Sequence, residues 1–402
     1  MSDFHQHGLI CTLQRLAETN GVELDAKLAV LARQKPVTLI LPCHYTELSR
    51  PALAHILAEV SQTGFLREVI VSMNGMDAAG FHKARNYFKR LKQPHRILWN
   101  DGPRLKAVYQ LLTQAKLGNF VSGKGFNTWA ATGLVFLEGK SKLVVTQDCD
   151  VSSFRREMLA RLCFAAMEPE LDYGYAKMYY SRVTDRIYGR VSRLFLAPLL
   201  HALVRVAGHQ PLLDFLLSFR YPLSGEYAIQ SELAGAIPMR ADWGLEIGLL
   251  CDVFRRMEPN RVCQVDGGSN YDHKHQPLGS DADSGLYKMS KEIAHALFEH
   301  LADEGLPMTA TLQAAVQSSY HRESREALHR YKNLALINGL SFEIAAEQHA
   351  VELFSKALGE AMEAPCTAQV TLVCWKDIQG AVQPDFVMRF LSAIAEDEAD
   401  AG

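Results

Sequence analysis

The 402-residue sequence predicts an α/β fold: a mostly parallel sheet flanked by helices, followed by a mainly helical C-terminal region. Three observations predict it. Short apolar runs recur at residues 37–41, 68–71, 96–99 and 143–145, the length of buried strands. Segments with helical periodicity alternate with them. From residue 284 to about 361 the pattern is helical throughout. Taken in order, residues 9–31 read as an amphipathic helix that Pro36 stops. Val37-Thr38-Leu39-Ile40-Leu41 is the first buried strand, and residues 51–60 are helical. Glu68-Val69-Ile70-Val71 is the second strand, 78–91 a helix, and Arg96-Ile97-Leu98-Trp99 the third strand. Helices at 104–116 and 125–138 precede the strand Leu143-Val144-Val145. Beyond residue 150 helices are expected at 155–167, 188–206, 212–219 and 244–257, with strands at 174–180 and 261–265. The divisions expected are a helical lead over 1–36, a nucleotide-binding α/β domain over 37–283, and a helical region over 284–402. The acidic end, Glu396-Asp397-Glu398-Ala399-Asp400, is expected to fray.

Composition narrows the function classes. Hydrophobic residues make up 48% of the chain, enough for a large core. A formal charge of -3 gives no global case for nucleic-acid binding. The eight cysteines form no Cys-x-x-Cys pair, so reduced thiols in a cytoplasmic protein are expected, not a disulfide frame or a zinc site. The polar first eight residues do not read as a signal peptide. The most apolar region, 194–217, is interrupted by His201, Arg205, His209, Pro211 and Asp214, which argues for two buried helices over a membrane span.

The candidate chemistry starts at Asp148 and Asp150, directly after an apolar strand. The carboxyl ends of parallel strands are where open α/β sheets place ligands. Carboxylates there can hold a hard divalent cation, which can hold a diphosphate. The alternative is an aspartate-rich turn. Pro42-Cys43-His44-Tyr45-Thr46-Glu47 follows the first strand, where a loop can grip a base and ribose, or can be an ordinary turn with Ser49 capping a helix. Gly123-Lys124-Gly125 is not a P-loop, because Gly125 stands where that motif needs Ser or Thr. Lys124 can still neutralise a diphosphate from a helix N-terminus. Arg182, Arg186, Arg190 and Arg193 would share one face of a continuous helix, suited to a phosphorylated or carboxylated small molecule if it faces a cleft. Leu223-Ser224-Gly225-Glu226-Tyr227-Ala228 reads as a turn entering a helix. Glu226 and Glu246 are acids among apolar residues, candidates for holding sugar hydroxyls or for acid/base work. Asp272, His273 and His275 follow the last strand, and His273 could complete a metal site begun by Asp150.

In order and spacing these segments resemble the retaining glucosyl-3-phosphoglycerate synthases, which have the Rossmann-like GT-A glycosyltransferase fold. The resemblance runs from about residue 37 to 278. It is carried by Pro42 to Glu47, Gly123-Lys124-Gly125 with Trp129, Asp148-Cys149-Asp150, Gly189-Arg190-Val191-Ser192, Pro222 to Ala228, Gly244-Leu245-Glu246-Ile247-Gly248-Leu249-Leu250, and His273 to Leu278. It implies a donor part over about 37–150 and an acceptor part over about 151–283. It also implies roles residue by residue. Pro42, Cys43, His44 and Glu47, with Ser72, would bind the donor nucleoside. Lys124, Asp148 and Cys149 would lie along the donor, with Lys124 and Glu246 as the catalytic pair and Glu246 on the sugar hydroxyls. Asp150 and His273 would ligate the metal, a divalent cation such as Mg²⁺, with Mn²⁺ or Co²⁺ as substitutes. Gly189, Arg190, Ser192 and His275 would bind the acceptor. Three departures stand out. Cys149 replaces the family's usual serine, the first loop is longer than the usual Pro-Ala-Leu-Asn-Glu, and His275 takes the place of an asparagine.

The implied reaction moves glucose from a nucleotide diphosphate glucose to the 2-hydroxyl of 3-phosphoglycerate with retention, on the way to glucosylglycerate, a compatible solute. A homodimer is expected, with no nucleic-acid or membrane partner. The donor base stays open. The rivals are a transferase of the mannosyl-3-phosphoglycerate or mannosylglycerate synthase kind, a metal-dependent nucleotidyltransferase and a non-catalytic scaffold. The second lacks its basic glycine-rich loop after the first strand, and the complete set of acids and loops argues against the third.

Overall fold

The computed structural model describes residues 5–17, 20–118, 120, 122–268, 284–363, 370–381 and 385–400. The chain opens with a short strand, β1 (Cys11–Leu13), and then α1 (Gly21–Leu31). The helix expected over 9–31 thus begins only at Gly21, with Asn20 capping it by accepting from the amides of Val22 and Glu23. The preceding residues pair in parallel with a strand near the far end of the domain, a contact that local periodicity does not contain. The alternation follows as read: β2 (Val37–His44), α2 (Pro51–Val60), β3 (Leu66–Asn74), α3 (Ala78–Phe88), β4 (His95–Trp99), α4 (Pro103–Gln114), α5 (Lys124–Glu138), β5 (Leu143–Thr146), α6 (Arg156–Met167) and β6 (Tyr175–Tyr179). A π-helical segment, Val191–Leu196, leads into α7 (Ala197–Ala207), followed by α8 (Pro211–Leu217).

The helix expected to start after Leu223 is instead a strand, β7 (Tyr227–Gln230), antiparallel to both β5 and β6. Next come α9 (Ser231–Ala236), β8 (Met239–Arg240), α10 (Leu245–Arg256) and β9 (Val262–Asp266). The C-terminal region is α11 (Gly285–Asp303), α12 (Ala310–Ile337), α13 (Ile344–Glu363), β10 (Thr371–Leu372), α14 (Trp375–Ala381) and α15 (Phe386–Asp400). The sheet order is β1-β9-β6-β7-β5-β2-β3-β4, parallel except for β7, and β10 pairs with β8 outside it.

Both faces of the sheet are covered. Ile40, Ile70 and Val144 belong to one buried cluster, while Leu39, Leu41, Val69, Val71, Leu143 and Val145 belong to the other. This is the two-residue period of strands buried on both sides, and it explains why they read as continuous apolar runs. The first cluster continues into the C-terminal helices through Tyr320, Phe354, Trp375 and Phe390. Trp375 stacks on Trp129 of α5 at 4.3 Å and donates its indole N–H to the Trp129 carbonyl at 2.8 Å. The acidic end does not fray. Asp397 on α15 is buried and accepts from the amides of Arg104 and Leu105 at 3.1 and 3.0 Å, capping α4 from 293 residues away. Every cysteine among the described residues is a free thiol, and no helix among them is long and apolar enough to cross a membrane.

Candidate active site

The chain runs β2, β3, β4 toward one edge of the sheet, then returns to place β5 on the other side of β2. Strand order therefore reverses between β2 and β5, and such a switch point opens a crevice at the carboxyl ends of the strands. The carboxyl end of β2 supplies Pro42 and His44 to this crevice, the turn after it supplies Glu47, and the loop after β5 supplies Asp148, Cys149 and Asp150. Because β7 is antiparallel, its entry loop, Ser224-Gly225-Glu226, arrives at the same end. Thr146 Oγ1 donates to the Gly225 carbonyl at 2.7 Å and Lys177 Nζ to the Ser224 carbonyl at 2.7 Å, so the loop is fixed from below. The result is a cleft of about 650 Å³, the size of a small-molecule site.

Lys124 is its hub. It opens α5, and its Nζ lies 2.8 Å from Asp148 Oδ1 and 2.9 Å from Glu246 Oε1. Loss of solvation works against its charge, but the Asp148 and Glu246 carboxylates outweigh that and hold its pKa well above the usual lysine value. The close approach depends on glycines. A methyl group on Gly125 would sit 2.0 Å from the Arg240 carbonyl oxygen, and one on Gly225 would sit 2.5 Å from both Asp148 Oδ2 and Lys124 Nζ. Asp150 is pushed up to about 6, first by burial and then by the charge of Asp148. Glu47, Asp148, Asp150 and Glu246 all line this side of the cleft, where Lys124 is the cation between them. Asp150 offers hard oxygen atoms of the kind a divalent cation takes, but among the described residues no three of His, Cys, Asp and Glu come together as a ligand set. Cys149 is held protonated, its thiol hydrogen-bonded to Cys43 and buried, with its pKa well above the ordinary value.

A further part of the cleft lining is rich in arginine, with Asp185 paired to Arg186, though not in the way the spacing suggests. Arg182 and Arg186 lie on a small turn closed by a bridge between Val183 and Ile187. Gly189, at φ +77°, breaks the backbone before the helical segment begins. The four arginines therefore do not share a helix face. Arg182, Arg186 and Arg190 line the cleft with Gly189 and Ser192, whereas Arg193 is buried.

Cys43 and Ser72 do not line the cleft. Cys43 is fully buried, and Ser72 accepts from Asn100 Nδ2 at 2.9 Å inside the sheet. His273 and His275 lie outside the described residues. Sequence reasoning missed Asn74, Ser122 and Tyr221, all of which line the cleft. Asn74 ends β3 and donates to Ser122 Oγ at 2.6 Å, and its place at a strand's carboxyl end was the available signal. Trp243, just before α10, was also missed.

A glucosyl-3-phosphoglycerate synthase of Persephonella marina is 34% identical over 404 residues, with all of both chains covered. The chain belongs to the glucosyl-3-phosphoglycerate synthase family. A family member from Methanococcoides burtonii is 33% identical over 84% of each chain. Among solved structures, the Mycobacterium tuberculosis family member in complex with Mn²⁺, UDP-glucose and phosphoglyceric acid superposes with a TM-score of 0.55 at 23% identity, covering 74% of this chain and 88% of that one. The same enzyme with Mg²⁺ and UDP gives a TM-score of 0.53 at 23% identity, covering 73% and 86%. No protein-family model matches the chain.

Proposed function

We propose that this protein is a retaining glucosyltransferase that moves glucose from a nucleotide diphosphate glucose to the 2-hydroxyl of 3-phosphoglycerate. The observation that carries the reading is the convergence of Lys124, Asp148 and Glu246, from three separate elements, at the sheet's switch point, in a cleft that Arg190 also lines. Asp148 and the loop Pro42, His44 and Glu47 hold the donor's nucleoside and ribose. Asp150, with His273, would hold a divalent cation. When bound, that cation offsets the charge that develops on the departing diphosphate. Lys124 adds a second positive charge on the same side.

Glu246 is tied to Lys124 and is placed to accept hydrogen bonds from the sugar's hydroxyls. Arg190, Gly189 and Ser192 hold the acceptor's phosphate and carboxylate, with His275 as a further contact. Fixing the acceptor hydroxyl on the face from which the diphosphate leaves suits a front-face route, in which the leaving phosphate takes the acceptor's proton. Positioning of this kind supplies several kcal/mol of barrier reduction. Both substrates are charged and cross membranes poorly, which supports a cytoplasmic location. A homodimer is part of this reading, to be checked by light scattering of the purified chain.

The test is a mass-detected transfer assay with Mg²⁺, screening uridine, guanosine and adenosine diphosphate glucoses and their mannose counterparts. The expected product is glucosyl-3-phosphoglycerate. Absence of product from every glucose donor would overturn the reading.

A further inference from the structure

The C-terminal helical region reaches the acceptor wall through one carboxylate. Glu347, in the first turn of α13, has a side chain only 7% exposed. Its Oε1 accepts from Arg190 Nε at 2.9 Å, across 157 residues of sequence. Its other oxygen is ion-paired with Nη2 of Arg193, whose side chain is 5% exposed. Arg193 in turn donates from Nε to the Tyr188 carbonyl and from Nη2 to the Ile187 carbonyl, both at 3.2 Å. Those carbonyls belong to the two residues before Gly189, whose left-handed backbone turns the chain into the cleft.

A guanidinium has a rigid fork of donors. Holding Arg190 at Nε fixes the plane of the fork, and among the described residues its two Nη nitrogens make no hydrogen bond to protein. An edge of that kind suits two parallel bonds to a phosphate or carboxylate. Two arginines against one glutamate also leave net positive charge facing the cleft. A second contact, Arg186 Nη1 to Glu343 Oε1 at 3.2 Å, joins the same two segments, but Glu343 is 65% exposed and such pairs are worth little.

We infer that Glu347 is a positioning residue of the acceptor site, fixing through Arg190 and Arg193 the guanidinium edge and the Gly189 turn that receive the acceptor's phosphorylated end. This rests on the assignment of Arg190 to the acceptor. The role also gives the helical C-terminal region a part in substrate recognition beyond packing.

The test uses the full chain with Glu347→Gln, Arg190→Ala and the double variant, measuring kcat and separate KM values for 3-phosphoglycerate and the donor. Glu347→Gln is expected to raise the acceptor KM about tenfold, with kcat and donor KM within about twofold. The double variant should add no more than about twofold to the effect of Arg190→Ala, because the two side chains act as a unit. A raised acceptor KM in Arg190→Ala with none in Glu347→Gln overturns the inference. An unchanged acceptor KM in Arg190→Ala overturns the acceptor assignment itself. Glutamine leaves Arg193 charged and buried, so Arg193→Leu with Glu347→Leu serves as the folded alternative. An unchanged acceptor KM in that variant also overturns the inference.

Discussion

Gly225 sets the geometry of the reacting end of the cleft by having no side chain. An alanine methyl there would meet the Asp148 carboxylate and the Lys124 ammonium at 2.5 Å, and both are the free ends of side chains. The backbone needs no left-handed conformation at this residue, so alanine leaves the fold intact and displaces the ion pair instead. Gly225→Ala is therefore expected to unfold within a few degrees of the parent in a thermal melt. Its kcat/KM should fall by about tenfold to a hundredfold, the scale of an ångström-sized misplacement. A variant with parental kcat/KM would show that the Lys124–Asp148–Glu246 cluster does not need its observed geometry. Much of this cluster was legible as residue types. Asp148 and Asp150 follow a recognisable strand, and Lys124 follows a glycine at a helix start. What spacing could not give was their meeting with Glu246, which lies 122 residues from Lys124. Glu347 carried no signal at all, since a glutamate in an amphipathic helix reads as solvated.

At the level of elements, the strands that build the switch point were readable because both faces of each are buried, which leaves an uninterrupted apolar run. The failures have a common cause. β1 is three residues long and exists only through pairing with β9. β7 was read as a helix because Ser224-Gly225-Glu226 has the look of a helix start, while the pairing partners that make it a strand are remote. The acidic terminus was expected to fray because its charge was visible and its receptor was not: the helix-start amides of Arg104 and Leu105 in α4, with Gly102 leaving room for Asp397 Oδ2. This cap makes a prediction. Asp397→Ala leaves two helix-start amides without their acceptor and is expected to cost about 1–2 kcal/mol. The melting temperature should drop by about 1–2 °C with kcat and both KM values unchanged at 25 °C. An unaltered melting curve would show that α15 contributes nothing to the start of α4.

Across the whole molecule, the cleft divides into two halves of opposite charge built by different parts of the chain. The donor half collects Glu47, Asp148, Asp150 and Glu246 around Lys124 at the sheet's switch point. The acceptor half collects Arg182, Arg186 and Arg190 against one carboxylate, Asp185, which pairs with Arg186, on a segment braced by α13. A nucleotide diphosphate entering the acidic half meets repulsion that one lysine does not cancel, so its binding should depend on a divalent cation. An anionic acceptor entering the basic half needs none. Chelation with excess EDTA should therefore separate the two, as measured by calorimetry. Donor binding should weaken by at least about tenfold, roughly 1.4 kcal/mol. Binding of 3-phosphoglycerate alone should stay within about twofold. The thermal melt should stay close to that of the metal-loaded protein, because the two buried clusters flanking the sheet consist of apolar side chains. Donor binding that is indifferent to EDTA would mean that Lys124 alone carries the diphosphate, and the charge division would lose its functional meaning.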